Sequence, residues 1–332
     1  RVAHQVEQVA IAGEDLHGVR LLTLRDVARA EEAYRYIVAI DDRDEDVLIA
    51  LDRIYTDNGA GEALAQVLKK RVAAATDERD KVELSHRLGN VLWNDCQRTS
   101  EAIEVYRHIL DKLDPQHEET LHALQNVYTV QQSWPELFSV YEKELDVVVG
   151  DTAQAEILGR MAMLATTRLG DNARAVELLR KVLDLLGEDA EALNALGNIY
   201  AVEENWADLV DVLEREVAVA ADDAMRVQIY GDLGRIWYEK LHRDRNALES
   251  WERVLDIEPG NTDALFAIAA IHRAADAHDD LVETLHRVVD VGTATLPDVE
   301  VENVYMELGA LYNQQLKQPF DAVQSYNKAL EL

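Results

Sequence analysis

Cysteine is nearly absent from this sequence. Cys96 stands alone among 332 residues, so no internal disulfide framework can support the fold. Bases are also scarce: 33 Lys and Arg face 64 Asp and Glu, a formal net charge of −31. That excess repels a polyanionic duplex and excludes a nucleic-acid partner. No apolar run approaches the roughly 18 residues that a bilayer-crossing helix needs, so no membrane insertion is expected. Strand-type alternation of apolar and polar residues is missing too. The five prolines, Pro115, Pro135, Pro259, Pro297 and Pro319, all fall between apolar-periodic stretches, where they spare helix interiors. The chain opens Arg1-Val2 with neither a methionine nor a signal-peptide pattern, and is expected to be a piece of a longer protein.

What is present is ample core material. Hydrophobic residues make up 48% and charged ones 29%, which argues against disorder despite the charge. Apolar residues recur at i, i+3, i+4 and i+7, as in Val176, Leu179, Val182 and Leu183, or Val210, Leu213 and Val217. The expected fold class is all-α.

The chain also repeats itself. Leu24-Arg-Asp-Val-Ala-Arg-Ala30 resembles Leu169-Gly-Asp-Asn-Ala-Arg-Ala175, and that alanine recurs as Ala30, Ala102, Ala175, Ala247 and Ala322, at intervals of 72, 73, 72 and 75. A second anchor, Leu196-Gly-Asn-Ile-Tyr200, matches segments ending at Tyr55, Tyr128 and His272, spaced 73, 72 and 72 (55, 128, 200, 272). Two anchors sharing one period define a double repeat of about 72 residues, holding two helical hairpins.

Each hairpin resembles the tetratricopeptide repeat (TPR), a helix–turn–helix of about 34 residues. The best copy carries Leu233-Gly234, Trp237, Ala247, Trp251, Val254 and Pro259; the last carries Leu308-Gly309, Tyr312, Ala322, Tyr326 and Ala329. Gly or Ala at 89, 162, 197, 234, 269 and 309 admits the neighbouring helix, and a nearby aromatic fills the gap. His17 and Asp52 occupy that small-residue position in the first repeat and break the pattern. The resemblance implies a single right-handed superhelical α-solenoid over 1–332. Nine hairpins are expected, at about 1–40, 42–75, 78–113, 115–150, 151–186, 188–221, 223–258, 260–293 and 298–332. The stretch Gly292–Pro297 is expected to be the longest loop.

Reaction chemistry has little to stand on. His117 and His122 lie at i and i+5, about 140° apart on a helix, and cannot share one metal on one face. Asp42, Asp44 and Asp46 mimic a calcium loop, but Val47 and Arg53 occupy its glycine and glutamate positions, so helix capping is the better reading. His272 and His278 align with Tyr and Trp of sister hairpins, which speaks for packing over a metal set with Asp276. No G-x-S-x-G, P-loop, G-x-G-x-x-G or C-x-x-C occurs. Neither an enzyme, a metal nor a cofactor is expected.

The TPR resemblance places ligand contacts at positions 2, 5, 9 and 12 of each first helix, with the small residue as position 8. Position 2 is then Asp46, Glu83, Glu119, Glu156, Glu191 and Asp263, with no base among them. Position 9 gives Asn90, Asn126 and Asn198, and Asn194 stands at position 5. An asparagine there can pair with the backbone of an extended peptide. Of the bases that a carboxylate clamp needs, only Arg87 and Arg160 are present, whereas an acidic groove favours a Lys/Arg-rich ligand. The first-turn acids have a second explanation in the helix dipole.

The expected function is a non-enzymatic scaffold that binds a protein or peptide along its concave face. The alternative is an accessory solenoid presenting substrates to a catalytic domain outside these residues. Uncapped ends would add a route to self-association.

Overall fold

The computed structural model describes residues 24–332, all helices and turns, with no strand among them. His17 and most of the expected hairpin 1–40 lie outside the described residues. The chain is an all-α helical-repeat solenoid in which helices pack chiefly on their sequence neighbours. It divides into two compact units, one ending at Gly170 and one beginning at Asp171, and each is taken by itself. The first holds α1 (Leu24–Ile40), α2 (Glu45–Asp57), α3 (Gly61–Ala74), α4 (Glu78–Asn94), α5 (Thr99–His108), α6 (Glu118–Gln131), α7 (Trp134–Val147) and α8 (Asp151–Leu164). The second holds α9 (Asn172–Leu186), α10 (Ala190–Val202), α11 (Trp206–Val219), α12 (Asp223–Arg235), α13 (Asp244–Ile257), α14 (Thr262–Ala274), α15 (His278–Thr295), α16 (Asp298–Gln314) and α17 (Pro319–Glu331). A wider π-helical turn extends α5, α8 and α12, at Ile109–Leu113, Ala165–Leu169 and Ile236–Lys240.

Short acidic and amide side chains start many of the helices. Asp44, Asp77, Asp171, Asp189, Asp222 and Asn261 each accept backbone N–H groups two or three residues ahead, satisfying donors that the first turn leaves open. Part of the chain's acidity is therefore structural. Asp44, in the calcium-loop look-alike, accepts from Val47 N–H at 3.2 Å and caps α2.

The turns carry the double repeat independently of the helices. Inside each described hairpin one residue has a left-handed backbone. One series is Gly59, Gln132, Glu204 and Asp276; the other is Gln97, Gly170, His242 and Lys317. The first series is spaced 73, 72 and 72 and the second 73, 72 and 75, matching the sequence anchors (59, 132, 204, 276; 97, 170, 242, 317). Only two of the eight are glycine, although a Cβ is disfavoured in that conformation. Gln132→Gly and Glu204→Gly are each expected to stabilise the protein by about 0.5–1 kcal/mol. A lower thermal midpoint in either variant would count against this reading of the turns.

Small residues and aromatics fit together as the pattern requires. A Cβ added at Gly89 would run into the Tyr106 ring; one at Gly234 would lie 2.6 Å from Trp251 Cε2, and one at Gly309 2.5 Å from Tyr326 Cε1. In all three the aromatic lies on the hairpin's second helix, seated on the bare backbone of the first. In the second unit, Leu265, Ile268, Leu281, Leu285 and Leu308 continue this packing as one buried core.

The expected loop Gly292–Pro297 is not a loop. Helix α15 continues to Thr295, leaving only Leu296 and Pro297 before α16. Leu296 folds back over Gly292, where an added Cβ would come within 2.8 Å of Leu296 Cδ1, and its N–H donates to Gly292 O at 2.8 Å. Thr295 returns its hydroxyl to Val291 O at 3.1 Å. Glycine and threonine read as loop residues in sequence, but here these contacts hold them helical.

Candidate functional site

First helices present the side chains expected to meet a ligand. Within the first unit, Glu83, Glu119 and Glu156 are exposed, and within the second Glu191 is exposed; none forms an ion pair with Lys or Arg among the described residues. Glu119 has only His117 Nε2, at 3.6 Å, and its own backbone N–H followed by His117 holds its carboxyl below the usual range. Asn126, Asn194 and Asn198 are exposed, with Asn198 Nδ2 donating to Asn194 Oδ1 at 3.0 Å. Asn90 differs. It is half-buried, its Oδ1 accepts from Tyr106 O–H at 2.6 Å, and its Nδ2 faces His86 Nε2 at 3.0 Å.

Both candidate clamp bases are consumed internally. Arg87 donates to both Asp52 oxygens, at 2.8 and 2.6 Å, and to Thr56 Oγ1 at 2.7 Å. Arg160 reaches Glu144 Oε1 at 3.4 Å and lies 5.3 Å above the Tyr141 ring. Each of these guanidinium groups already has a carboxylate partner within the protein.

These contacts belong to a recurring joint where a first helix, its second helix and the next first helix meet. Three positions recur: 52, 125, 197 and 269; 71, 144, 216 and 288; 87, 160, 232 and 307. At the first joint Asp52, in place of the expected small residue, takes both Arg87 and Arg71 with its side chain only 4% exposed. Gln125 at the second donates to Glu144 Oε2 at 2.6 Å, and Arg160 completes the set. The third carries Gly197, Glu216 and Asp232, without the arginine of its sisters. Burial, then the neighbouring Asp232 charge, raises the Glu216 carboxyl above its usual range. Asp232 itself pairs with Arg235 on its own helix. The fourth has Ala269 and Val288, and Glu307 is clamped bidentately by Arg273 at 2.7 and 2.9 Å.

Behind Asn90 lies a hydrogen-bonded chain across two hairpins. His86 Nδ1 meets Thr120 Oγ1 at 3.0 Å, and Thr120 Oγ1 meets His117 Nδ1 at 2.8 Å. The two imidazole rings are 5.3 Å apart. Burial, and then the charge His117 can carry, lower the His86 pKa, against the opposing pull of Glu119 and Glu83. The sequence reading missed this chain. Its signal was available: His86 stands at the same repeat position as Asn194, three residues before the small-residue anchor.

Among the described residues, no three His, Cys, Asp or Glu side chains converge as a metal site, and no helix is long and apolar enough to cross a membrane. The hairpins, with their glycine-on-aromatic packing and recurring joints, form a helical repeat that resembles the TPR.

No protein-family model and no curated protein matches the chain. Solved structures similar to it include MamA, at 20% identity and a TM-score of 0.34 over 51% of this chain and 92% of that one. YrrB, described as a TPR protein with an unusual peptide-binding site, shows 19% identity and a TM-score of 0.35, over 53% of this chain and 85% of that one. The C-terminal part of a TPR repeat-containing protein from Cytophaga hutchinsonii shows 14% identity and a TM-score of 0.38, over 73% of this chain and 95% of that one.

Proposed function

We propose that this protein is a non-enzymatic scaffold that binds an extended peptide or partner helix along its first helices and prefers Lys/Arg-rich segments. The observation that carries this reading is an imbalance of free charge. The position-2 acids Glu83, Glu119, Glu156 and Glu191 are exposed and unclaimed by Lys or Arg, whereas Arg87 and Arg160 are tied up by Asp52 and Glu144. A ligand approaching that face therefore meets carboxylates and amides. Glu216, raised by burial and Asp232 and without a cation among the described residues where two sister joints hold arginine, supports the same preference in the second unit. Asn126 and Asn198 supply exposed amides for a peptide backbone, while Asn90 contributes only if its internal partners release it.

The test is fluorescence anisotropy with matched Lys/Arg-rich and Asp/Glu-rich peptides over a salt series. The basic peptide should bind more tightly, with the margin shrinking as salt rises. Glu119→Lys and Glu191→Lys should each weaken it by about two- to fivefold, the scale of an exposed charge pair. Equal affinity for both peptides would remove the charge preference. Unchanged binding by an Asn126→Ala/Asn198→Ala variant would remove the amide assignment.

A further inference from the structure

We propose that the chain Tyr106–Asn90–His86–Thr120–His117 is a proton-sensitive latch, holding the α4–α5 hairpin to α6 at neutral pH and loosening on acidification. It joins consecutive hairpins where α4 touches α6 directly. This inference concerns the joint itself and does not rest on the peptide-binding reading.

The geometry gives the chain one direction. Tyr106 is fully buried, and its hydroxyl donates to Asn90 Oδ1 at 2.6 Å, its one hydrogen-bond partner among the described residues. The Asn90 amide must then aim its N–H at His86 Nε2, 3.0 Å away, so that nitrogen carries a lone pair. The His86 proton consequently sits on Nδ1 and donates to Thr120 Oγ1 at 3.0 Å. Thr120 passes its own hydroxyl proton to His117 Nδ1 at 2.8 Å, and the Thr120 backbone N–H donates to the same nitrogen at 3.3 Å, capping α6. Thr120 is fully buried, so its partners cannot be exchanged for water.

A proton added at His86 Nε2 breaks this order. Two N–H groups then face each other at 3.0 Å. Flipping the Asn90 amide repairs that contact but turns its NH2 toward Tyr106, whose buried hydroxyl hydrogen loses its acceptor. A proton at His117 Nδ1 removes the acceptor of the Thr120 hydroxyl and leaves the Thr120 N–H only His117 O, at 3.1 Å, and with the rings 5.3 Å apart each imidazolium opposes the other.

The groups facing His86 are identified on every side. Glu83 on α4 and Glu119 on α6 favour its charged form, and His117 opposes it. From α5 comes the Tyr106 ring, 5.8 Å away. Burial and His117 outweigh the two acids and lower the His86 pKa. The sign follows. A lowered histidine pKa means that the folded joint binds protons less readily than the open one. The latch is therefore intact above the ordinary histidine range near pH ~6.5 and weakens as pH falls through it.

The experiment uses the whole chain, with histidine NMR titration and amide hydrogen exchange corrected for intrinsic pH dependence. Protection of the Thr120 and Leu121 amides should fall at least tenfold between pH 7.5 and 5.5, while amides in α14 stay level. His86→Gln, which cannot titrate, should flatten most of that fall. Asn90→Asp should reverse the effect, because a carboxylate accepts from both Tyr106 O–H and His86 Nε2–H. Its His86 should titrate above the ordinary range, and protection should persist to lower pH. An unchanged pH profile in His86→Gln would overturn the latch, as would a wild-type His86 that titrates above the ordinary range. If His86→Gln does not fold, the wild-type titration and Asn90→Asp decide.

Discussion

Asp52→Ala is expected to destabilise the first unit by about 3–5 kcal/mol, measured by urea unfolding followed by circular dichroism. Asp52 sits on α2 with its side chain 4% exposed and neutralises Arg71 of α3 and Arg87 of α4. Removing it leaves Arg71, 19% exposed, without the carboxylate that holds it. Thr56 keeps its hydroxyl bond to the Asp52 backbone O at 2.7 Å and still receives Arg87 at 2.7 Å, so among the described residues it alone remains to hold that guanidinium. The cost comes from an orphaned buried charge more than from the lost attraction, so it should shrink when the cation goes too. Asp52→Ala in an Arg71→Met background is expected to cost distinctly less than in the wild type. Equal costs in both backgrounds would show that the carboxylate matters for another reason. Arg87→Ala should be milder than Asp52→Ala, because Arg71 still balances the buried charge and Arg87 is 40% exposed.

Gly234→Ala is the second large effect. The added methyl would lie 2.6 Å from Trp251 Cε2 and Nε1, and Trp251 is only 8% exposed within the second unit's core. The indole must shift, and overpacking of this kind costs about 1–3 kcal/mol. The control is Gly197→Ala, at the same position one hairpin earlier. There the nearest atom, Leu209 Cδ1, is 3.6 Å away, an ordinary contact. Helix propensity favours alanine by up to about 1 kcal/mol, so Gly197→Ala should be neutral or stabilising. Thermal melts with tryptophan fluorescence separate the cases: only Gly234→Ala should lower the midpoint and shift the emission. A matching loss in both variants would mean that glycine serves the backbone and not the aromatic.

Much of this was legible in advance because packing repeats with a period. Gly234 with Trp251, and Gly309 with Tyr326, were readable as contacts across a hairpin, since only a bare backbone admits an aromatic so closely. The position-2 acids are exposed on first helices, but Glu83 and Glu156 stand beyond the first turn, since α4 and α8 begin five residues before them. Other residues misled. Asp52 read as a defect in the small-residue pattern, yet it anchors two arginines. Arg87 and Arg160 read as too few bases for a carboxylate clamp, and each also pairs internally, with Asp52 and Glu144. Nothing in the α2 sequence reports that a carboxylate there meets bases 19 and 35 residues further on. The Gly292 region misled for a local reason: its composition favours a loop, and the return of Leu296 over the glycine holds it helical.

By itself the sequence determined the helical class, the 72-residue period, the aromatic seats and the absence of familiar reaction motifs. All of these follow from short-range spacing, which every copy states again. Tertiary structure alone decided which polar groups remain free. Partners such as Asp52 and Arg87, or His86 and Thr120, lie on different hairpins, and copies differ at those positions. A side chain's availability depends on what a neighbouring helix brings within about 3 Å of it, and that distance exists only after the hairpins have stacked.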